Sequence, residues 1–240
     1  VSTKKISKCP DCGSHDIIQD PDVLDTWFSS SQWPFVTLIS NQENDFEEFY
    51  PTQVMETGWD ILFFWVARMI MMGIYRTGKI PFETVYLHGL VRDKDRQKMS
   101  KSKGNAIDPL GVSRLYGTDA LRMSLIIGNS AGNDIIISED KIKGYRNFAN
   151  KIWNVSRFID LNLQNFEPQN QIKLTSHDKK LLNDLVKIEK KVTGYLDNFQ
   201  FSLAGETIYH YFWHTFADKI VEEAKIRIRE KNNDQAAQYL

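Results

Sequence analysis

The sequence predicts an α/β protein whose sheet-bearing part gives way to an antiparallel α-helical bundle. Three observations carry this. Strand, helix and strand patterns follow one another between residues 53 and 93, the order of a βαβ unit with a parallel sheet. A basic, glycine-containing loop comes directly after the second strand, beyond the strand end where open α/β sheets bind ligands. From residue 138 onward, apolar residues recur at helical spacing.

With 240 residues the chain can form one large domain or two ordinary ones, and 42% apolar with 25% charged residues suits a globular protein with a real core. A net charge of −1 excludes an overall basic field, so any RNA contact must come from local patches. The first residues, VSTKKISKCP, are polar and do not read as a signal peptide. The apolar run at 61–75 is shorter than the ~20 residues of a membrane span and carries Arg68 at its middle, so it reads as a buried helix and no membrane partner is expected.

Residues 1–20 read as a small polar loop module around CPDCG. Cys9 and Cys12 are spaced as half of a zinc ribbon. A structural zinc needs four ligands, there is no second CxxC, and His15 alone cannot complete the set. A thioredoxin-type motif would need a strand-to-helix context that this stretch lacks, and two cysteines so close are no disulfide framework.

Residues 21–40 mix aromatics with Ser and Pro, as irregular structure around a site does. Residues 53–58 form a short strand ending at Gly58. A helix follows over about 60–77, with Asp60 in the first turn, where a carboxylate suits the helix dipole. Ile61 and Trp65 lie one turn apart and share a face, while Phe63, Phe64, Met69 and Met71 are assigned to packing. Residues 84–93 open as a buried strand through Val85, Tyr86 and Leu87. Asp108 caps the next helix, with Pro109 at its first position, and residues 118–128 form another short helix.

In the last hundred residues, Ile142, Tyr145, Ala149, Ile152, Ser156 and Ile159 trace a helical stripe flanked by Phe148 and Trp153. A polar linker at 164–175 precedes Thr175 and Asp178, which are spaced as a capping box. Leu181, Leu182, Leu185, Ile188 and Val192 then share one face, and a final helix runs over about 202–230. Its basic run at 225–231 reads first as a solvated face, and secondly as a contact for an RNA backbone.

The loop RQKMSKSKGN at 96–105 carries Arg96, Lys98, Lys101 and Lys103 between serines, ahead of Gly104. Point charges from lysine and hydrogen bonds from serine suit a flexible phosphate clamp. The GxxxxGK[ST] spacing of a Walker loop is absent. KMSKS at 98–102 resembles the signature of the class I aminoacyl-tRNA synthetases. HGLVRD before it and KGNAIDPL after it are similar to the branch for valine, isoleucine and leucine. The stretches at 22–35, 49–73 and 146–154 resemble the valine-specific members of that branch, and the resemblance is strong over 20–160 and looser to about 230.

The resemblance implies a Rossmann-like catalytic half-domain at 21–137 and part of a helical anticodon-binding domain at 138–240. It implies ATP-dependent activation of valine to valyl-adenylate and transfer to tRNA(Val). Lys98 and Lys101 would neutralise the departing pyrophosphate, with Met99, Ser100 and Ser102 completing the loop. Glu56, Gly58 and Asp60 would hold the ribose, and His88 and Gly89 would meet the adenine and its neighbouring phosphates. Trp27, Ile61 and Trp65 would wall the valine pocket. ATP would come with Mg2+, and structural zinc on Cys9 and Cys12 is expected only where further ligands lie outside this chain. A cytoplasmic, monomeric full-length protein is implied, of which this chain is expected to be an inactive piece, since no His-x-x-His first ATP motif occurs in it. An isoleucine enzyme and a non-catalytic tRNA-binding relative remain as alternatives. The second predicts loss of the clamp residues, yet Lys98, Ser100, Lys101 and Ser102 are all present.

Overall fold

A computed structural model describes residues 4–164, 172–230 and 235–239, without the side chains of residues 101 and 230. Most of the predicted linker at 164–175 lies outside the described residues. The chain packs as two compact units: Val1–Gln53 with Ile61–Glu83, and Val54–Asp60 with Thr84–Leu240.

In the first unit, α1 (Thr26–Ser30), α2 (Trp33–Asn41), α3 (Asp45–Phe49) and α4 (Ala67–Thr77) surround Phe35, Tyr50, Val66, Met69 and Phe82, all buried. Asp25 starts α1 by accepting the Trp27 amide at 2.7 Å. The Tyr50 hydroxyl donates to the Lys79 carbonyl at 3.2 Å, tying the end of α3 to the turn after α4. Arg68, the charge inside the apolar run, lies 3.8 Å from Asp25 and over the Phe64 ring.

The helix predicted over 60–77 is not uniform. Trp59–Ile61 is a 3-10 turn and Leu62–Val66 a π turn, and regular α-helix begins only at Ala67. No side chain caps the π turn, and its wider winding spreads the consecutive rings of Phe63, Phe64 and Trp65. Of the side chains assigned to packing, Met69 is fully buried, but Phe63 is 72% and Met71 68% exposed. The apolar run has more hydrophobic surface than one inward face can cover.

The described strands form two small sheets. β1 (Thr52–Gly58) pairs with β2 (Phe82–His88), and β3 (Val91–Arg92) runs parallel to β4 (Ile135–Ile136), with Val91 opposite Ile135. Val85, Tyr86 and Leu87 are half-buried rather than buried, because their sheet has only two strands.

In the second unit, Asp108 accepts the Leu110 and Gly111 amides and starts α5 (Pro109–Tyr116), as the sequence indicated. Helices α5, α6 (Thr118–Ile126) and the start of α7 (Glu139–Leu163) close over Val112, Ala120, Ile135, Ile137 and Ile142. Farther along, α7 buries Phe148 and Val155, while Ile152 of the predicted stripe and Trp153 on its flank are 38% and 67% exposed. The cause is a change of partner. α7 packs first on α5 and α6, then on the segment Tyr211–Ile220, so its buried line shifts around the helix.

The bundle continues with α8 (Ser176–Asp197), α9 (Phe201–His210), the π-wound Tyr211–Ile220, α10 (Val221–Glu230) and α11 (Gln235–Tyr239). The predicted last helix over about 202–230 is thus found at those bounds, with a π-wound segment inside it. The capping box forms as read: Thr175 Oγ1 accepts the Asp178 amide at 3.2 Å, and Asp178 accepts the Thr175 amide at 2.8 Å.

Asp178 has a second task. Its fully buried carboxylate accepts from Arg227 of α10 at 2.7 Å, joining the start of α8 to the last helix. Burial alone would raise its pKa. The Arg227 and Thr175 hydrogen bonds outweigh burial and hold it at about 2. Within the basic run, then, Arg227 is a structural ion-pair partner rather than a solvated charge, and Lys225 pairs with Glu222 and lies 5.0 Å over the Phe158 ring.

Removing one member of a buried pair strands the other, at a cost of about 3–5 kcal/mol. Asp178→Ala should lose about that much in urea unfolding, and the apolar pair Asp178→Leu with Arg227→Met should lose clearly less than either single change. Because the folded pKa is depressed, the stabilising contribution of Asp178 should be present above pH ~4 and fade as pH falls toward 2. The wild-type minus variant stability difference should shrink over that window.

Candidate functional site

The strand ends of the second unit bring several predicted residues together. Glu56 lies near the end of β1 and His88 closes β2, with His88 Nε2 3.3 Å from Glu56 Oε1. His88 Nδ1 lies 2.9 Å from the Gly89 carbonyl, so the ring stands between two acceptors. Gly58 leaves room beside it: a Cβ there would lie 2.7 Å from Asp60 Oδ1 and 3.6 Å from His88 Cε1. Glu56 and Asp60, both exposed, thus lie with half-buried His88 around the buried Gly58, in a polar cluster able to accept from hydroxyls and donate an imidazole N–H.

Gly89 serves the packing beneath that cluster. A Cβ at this position would overlap the Asn133 carbonyl. On either side, the Gly132 amide donates to Leu87 at 2.8 Å and the Ile135 amide to Leu90 at 3.0 Å. The two backbones can approach this closely only where one residue has no side chain.

Asp134 holds the cluster in place, and no local spacing pointed to it. Its carboxylate accepts from Trp59 Nε1 at 3.0 Å, from the Leu90 amide at 2.8 Å and from Arg92 Nε. These three bonds, the Trp59 indole foremost, hold its pKa at about 2. One carboxylate thus fixes the exit from β1, the start of β3 and the guanidinium at the base of the basic loop. The available sign was a lone acidic residue directly before the run Ile135–Ile137, whose partners lie 75, 44 and 42 residues away.

The basic loop is a hairpin standing on β3. Arg92 and Lys98 form an antiparallel bridge across a turn, and Arg92 donates to the Arg96 carbonyl at 3.1 Å. Lys98 is exposed and Met99 half-buried. The backbone of Lys101–Lys103 makes one 3-10 turn, with the Lys103 amide donating to the Ser100 carbonyl at 3.2 Å and the hydroxyls of Ser100 and Ser102 3.2 Å apart. Gly104 follows at φ +69°, in the left-handed region, with no atom near enough to restrict it. The exposed Ser102 hydroxyl and its Ser100 neighbour can offer hydrogen bonds to anionic oxygens.

The remaining predicted residues belong to the first unit. Trp27 stacks on Phe64 with ring centroids 5.8 Å apart, and Trp65 donates its indole N–H to the Ser30 carbonyl at 3.1 Å while tilting against Trp33 at 6.0 Å. Trp27, Ile61 and Trp65 are each half-buried. Phe64, assigned to packing from the sequence, is 47% exposed and is the ring that Trp27 touches.

In the N-terminal module, the Gly13 amide donates to the Cys9 carbonyl at 3.1 Å and the Cys9 amide to Ser14 at 2.8 Å, closing a tight turn. Amide hydrogen bonds from Cys12 and then Asp11 lower the Cys9 thiol pKa, which favours a metal-ready thiolate. Among the described residues, no three His, Cys, Asp or Glu side chains converge on a common metal position.

Gly89→Ala should cost at least about 3 kcal/mol, as overpacking against fixed backbone does, and should release the Leu90–Ile135 amide to hydrogen exchange. Gly104→Ala should cost only about 1 kcal/mol, the left-handed penalty alone. Urea unfolding of the two variants checks the contrast, and equal losses would show that Gly89 is not squeezed by residue 133.

Comparison with known proteins bears on these arrangements. Residues 2–138 match the family model for tRNA synthetases class I (I, L, M and V), and residues 178–240 match the anticodon-binding domain of tRNA ligase. The valine–tRNA ligase of Pseudothermotoga lettingae is 48% identical over 227 residues, covering 94% of this chain and 26% of the relative. That of Thermotoga maritima is 46% identical over 235 residues, covering 98% of this chain and 27% of the relative. The chain thus spans about a quarter of the length of these relatives. Among solved structures, Mycobacterium tuberculosis methionyl-tRNA synthetase bound by methionyl-adenylate superposes with a TM-score of 0.64 at 25% identity, over 83% of this chain and 40% of that one. An Agrobacterium radiobacter LeuRS in complex with tRNA and LeuAMS gives 0.69 at 23% identity, over 88% and 29%, a likeness of fold. With a family model matched across 2–138, more than half of its length, the chain belongs to the class I tRNA synthetases of the I, L, M and V group.

Proposed function

We propose that this chain supplies the signature-loop half of a valine–tRNA ligase, which activates valine with ATP and passes it to tRNA(Val). The supporting observation is the loop at 98–102, mounted on β3 and tied through Arg92 and Asp134 to the end of β1 that precedes Asp60. The relatives named valine–tRNA ligase align through this region at 45–48% identity.

In the proposed reaction the valine carboxylate attacks the α-phosphorus of ATP, and pyrophosphate leaves. No side chain forms a covalent bond, so the chain acts by positioning and by stabilising charge. Lys98 and Lys101 neutralise the charge that builds on the leaving pyrophosphate, while Met99 seats the loop and Ser100 and Ser102 offer hydroxyl donors. Glu56 and Asp60 accept from ribose hydroxyls beside Gly58, and His88 and Gly89 line the base and its neighbouring phosphate. Trp27, Ile61 and Trp65 offer an apolar surface for the valine side chain. Selection by apolar size is weak, since one methylene changes binding by only about 1–3 kcal/mol.

Mg2+ would arrive on the ATP phosphates, since that ion keeps several of its waters and is held largely by substrate phosphates. Cys9 and Cys12 fit half of a structural zinc shell, with the turn amides lowering the pKa of the Cys9 thiol. Residues 138–240 would carry the start of the tRNA-binding bundle. The proposed whole enzyme is cytoplasmic and monomeric. Among the described residues, no helix is long and apolar enough to cross a membrane.

The test uses a full-length enzyme carrying this segment. Valine-dependent pyrophosphate exchange should exceed isoleucine-dependent exchange. Lys101→Ala should slow adenylate formation about a hundredfold, or about 3 kcal/mol, with a smaller change in valine affinity. Lys101→Arg should recover part of the rate, because a planar fork suits a point-charge role poorly. Lys103→Ala should cost several times less than Lys101→Ala. Pre-steady-state adenylate formation decides it: equal losses at 101 and 103 would make the loop a diffuse charge and remove the role given to Lys101.

A further inference from the structure

We infer that Asp93 and Asn105 are positioning residues whose side-chain hydrogen bond clasps the two ends of the signature loop and holds it in its working shape. The inference rests on the reading of that loop as the pyrophosphate clamp.

The bonds form a closed circuit. Asn105 Nδ2 donates to Asp93 Oδ2 at 2.8 Å and, more weakly, to the Lys98 carbonyl at 3.4 Å. Asn105 Oδ1 accepts the Ser100 amide at 3.0 Å. Asp93 Oδ1 accepts the amides of Gln97 at 2.8 Å and Asp95 at 3.0 Å. The backbone joins in, with the Arg96 amide donating to the Asp93 carbonyl and the Asp93 amide to the Gln97 carbonyl, each at 3.0 Å. The turn so closed carries Arg96 at φ +61°, a strained value for a non-glycine residue that the surrounding bonds must hold.

Every polar atom of the two side chains has a matched partner. Asp93 gives only acceptors, and Asn105 splits its amide, oxygen toward Ser100 and nitrogen toward Asp93 and Lys98. Both side chains are half-buried at the foot of the loop, whereas Lys98 and Ser102 above them are exposed. The Asn105 hydrogen bond is also the chief cause holding the Asp93 pKa below the usual carboxylate range, with the Lys103 charge adding a little. The clasp leaves the loop tip free and fixes where its two ends stand, and Ser100 receives its place directly from Asn105.

This wiring makes an exchange of the two side chains informative. In Asp93→Asn, the new amide nitrogen faces Asn105 Nδ2, donor against donor, and turning Asn105 over would set its nitrogen against the Ser100 amide. In Asn105→Asp, two carboxylates meet at the distance of a hydrogen bond. In the double exchange, Asp93→Asn with Asn105→Asp, the amide now at position 93 still accepts the Gln97 and Asp95 amides on its oxygen. Its nitrogen donates to the carboxylate now at position 105, which still accepts the Ser100 amide. Only the long bond to the Lys98 carbonyl is lost.

The experiment again uses a full-length enzyme carrying this segment. Each single variant should slow adenylate formation about tenfold or more, with valine KM little changed, and the exchanged pair should recover to within about threefold of the parent. The Asn105→Asp deficit should shrink as pH is lowered from about 8 toward about 6, because a proton shared between the facing carboxylates restores the bond. Limited trypsin cleavage after Arg96, Lys98, Lys101 and Lys103 gives a readout independent of activity: faster in each single variant, near parental in the pair. Additive losses in the pair, or unchanged trypsin rates in the singles, would overturn the clasp. Trypsin rates that follow the exchange, together with a Lys101→Ala enzyme of parental rate, would keep the clasp and remove the catalytic reading.

Discussion

Asp134 takes hydrogen bonds from an indole after β1 and from a backbone amide and a guanidinium at β3, two segments far from it in sequence. The arrangement works because the carboxylate is ionised: three donors converge on it, and protonation would set a hydrogen against one of them. Its pKa of about 2 expresses that constraint. Remove the charge and Trp59, Leu90 and Arg92 lose their common anchor, and with it the relation between the Glu56–Asp60 cluster and the foot of the loop. The loop's own clasp between Asp93 and Asn105 then builds on a base that Arg92 has already fixed.

The candidate residues divide by chemistry as the chain divides by packing. Those suited to phosphate, ribose and base lie in the second unit, on strand ends and the loop between β3 and α5. Those suited to an apolar side chain lie in the first unit, on α1 and on the irregular turns before α4. In the first group the candidates are charged and polar side chains on strand ends and on a turn, which suits recognition of charge. In the second they are large rings in mutual contact, Trp27 on Phe64 and Trp65 near Trp33, which suits selection by shape.

The helical part follows a different rule. There a buried ion pair, Asp178 with Arg227, is placed where a capping box already needs a carboxylate. One side chain terminates a helix and joins it to another, so the start of α8 and the register of α10 are set together. The same double use explains why the basic run on α10 is not a uniform solvated face: Arg227 is only 17% exposed at its side chain.

Local rules acting over a few residues were legible in the sequence. Asp108 with Pro109, Thr175 with Asp178, the strand ending at Gly58 and the loop after the second strand all rest on contacts between near neighbours, and each was found where the pattern put it. Glu56, Gly58, Asp60 and His88 were named through the family resemblance, and it is the folded strand ends that bring them together. Tertiary structure alone decided the rest. Asp134 and Arg227 find partners more than forty residues away, which no periodicity encodes. The buried line of α7 depends on which elements it meets, so Trp153 turned outward. Phe63 and Met71 were expected inside because they are apolar, but composition says only what a side chain prefers, and the number of neighbours available to cover it is a property of the folded chain.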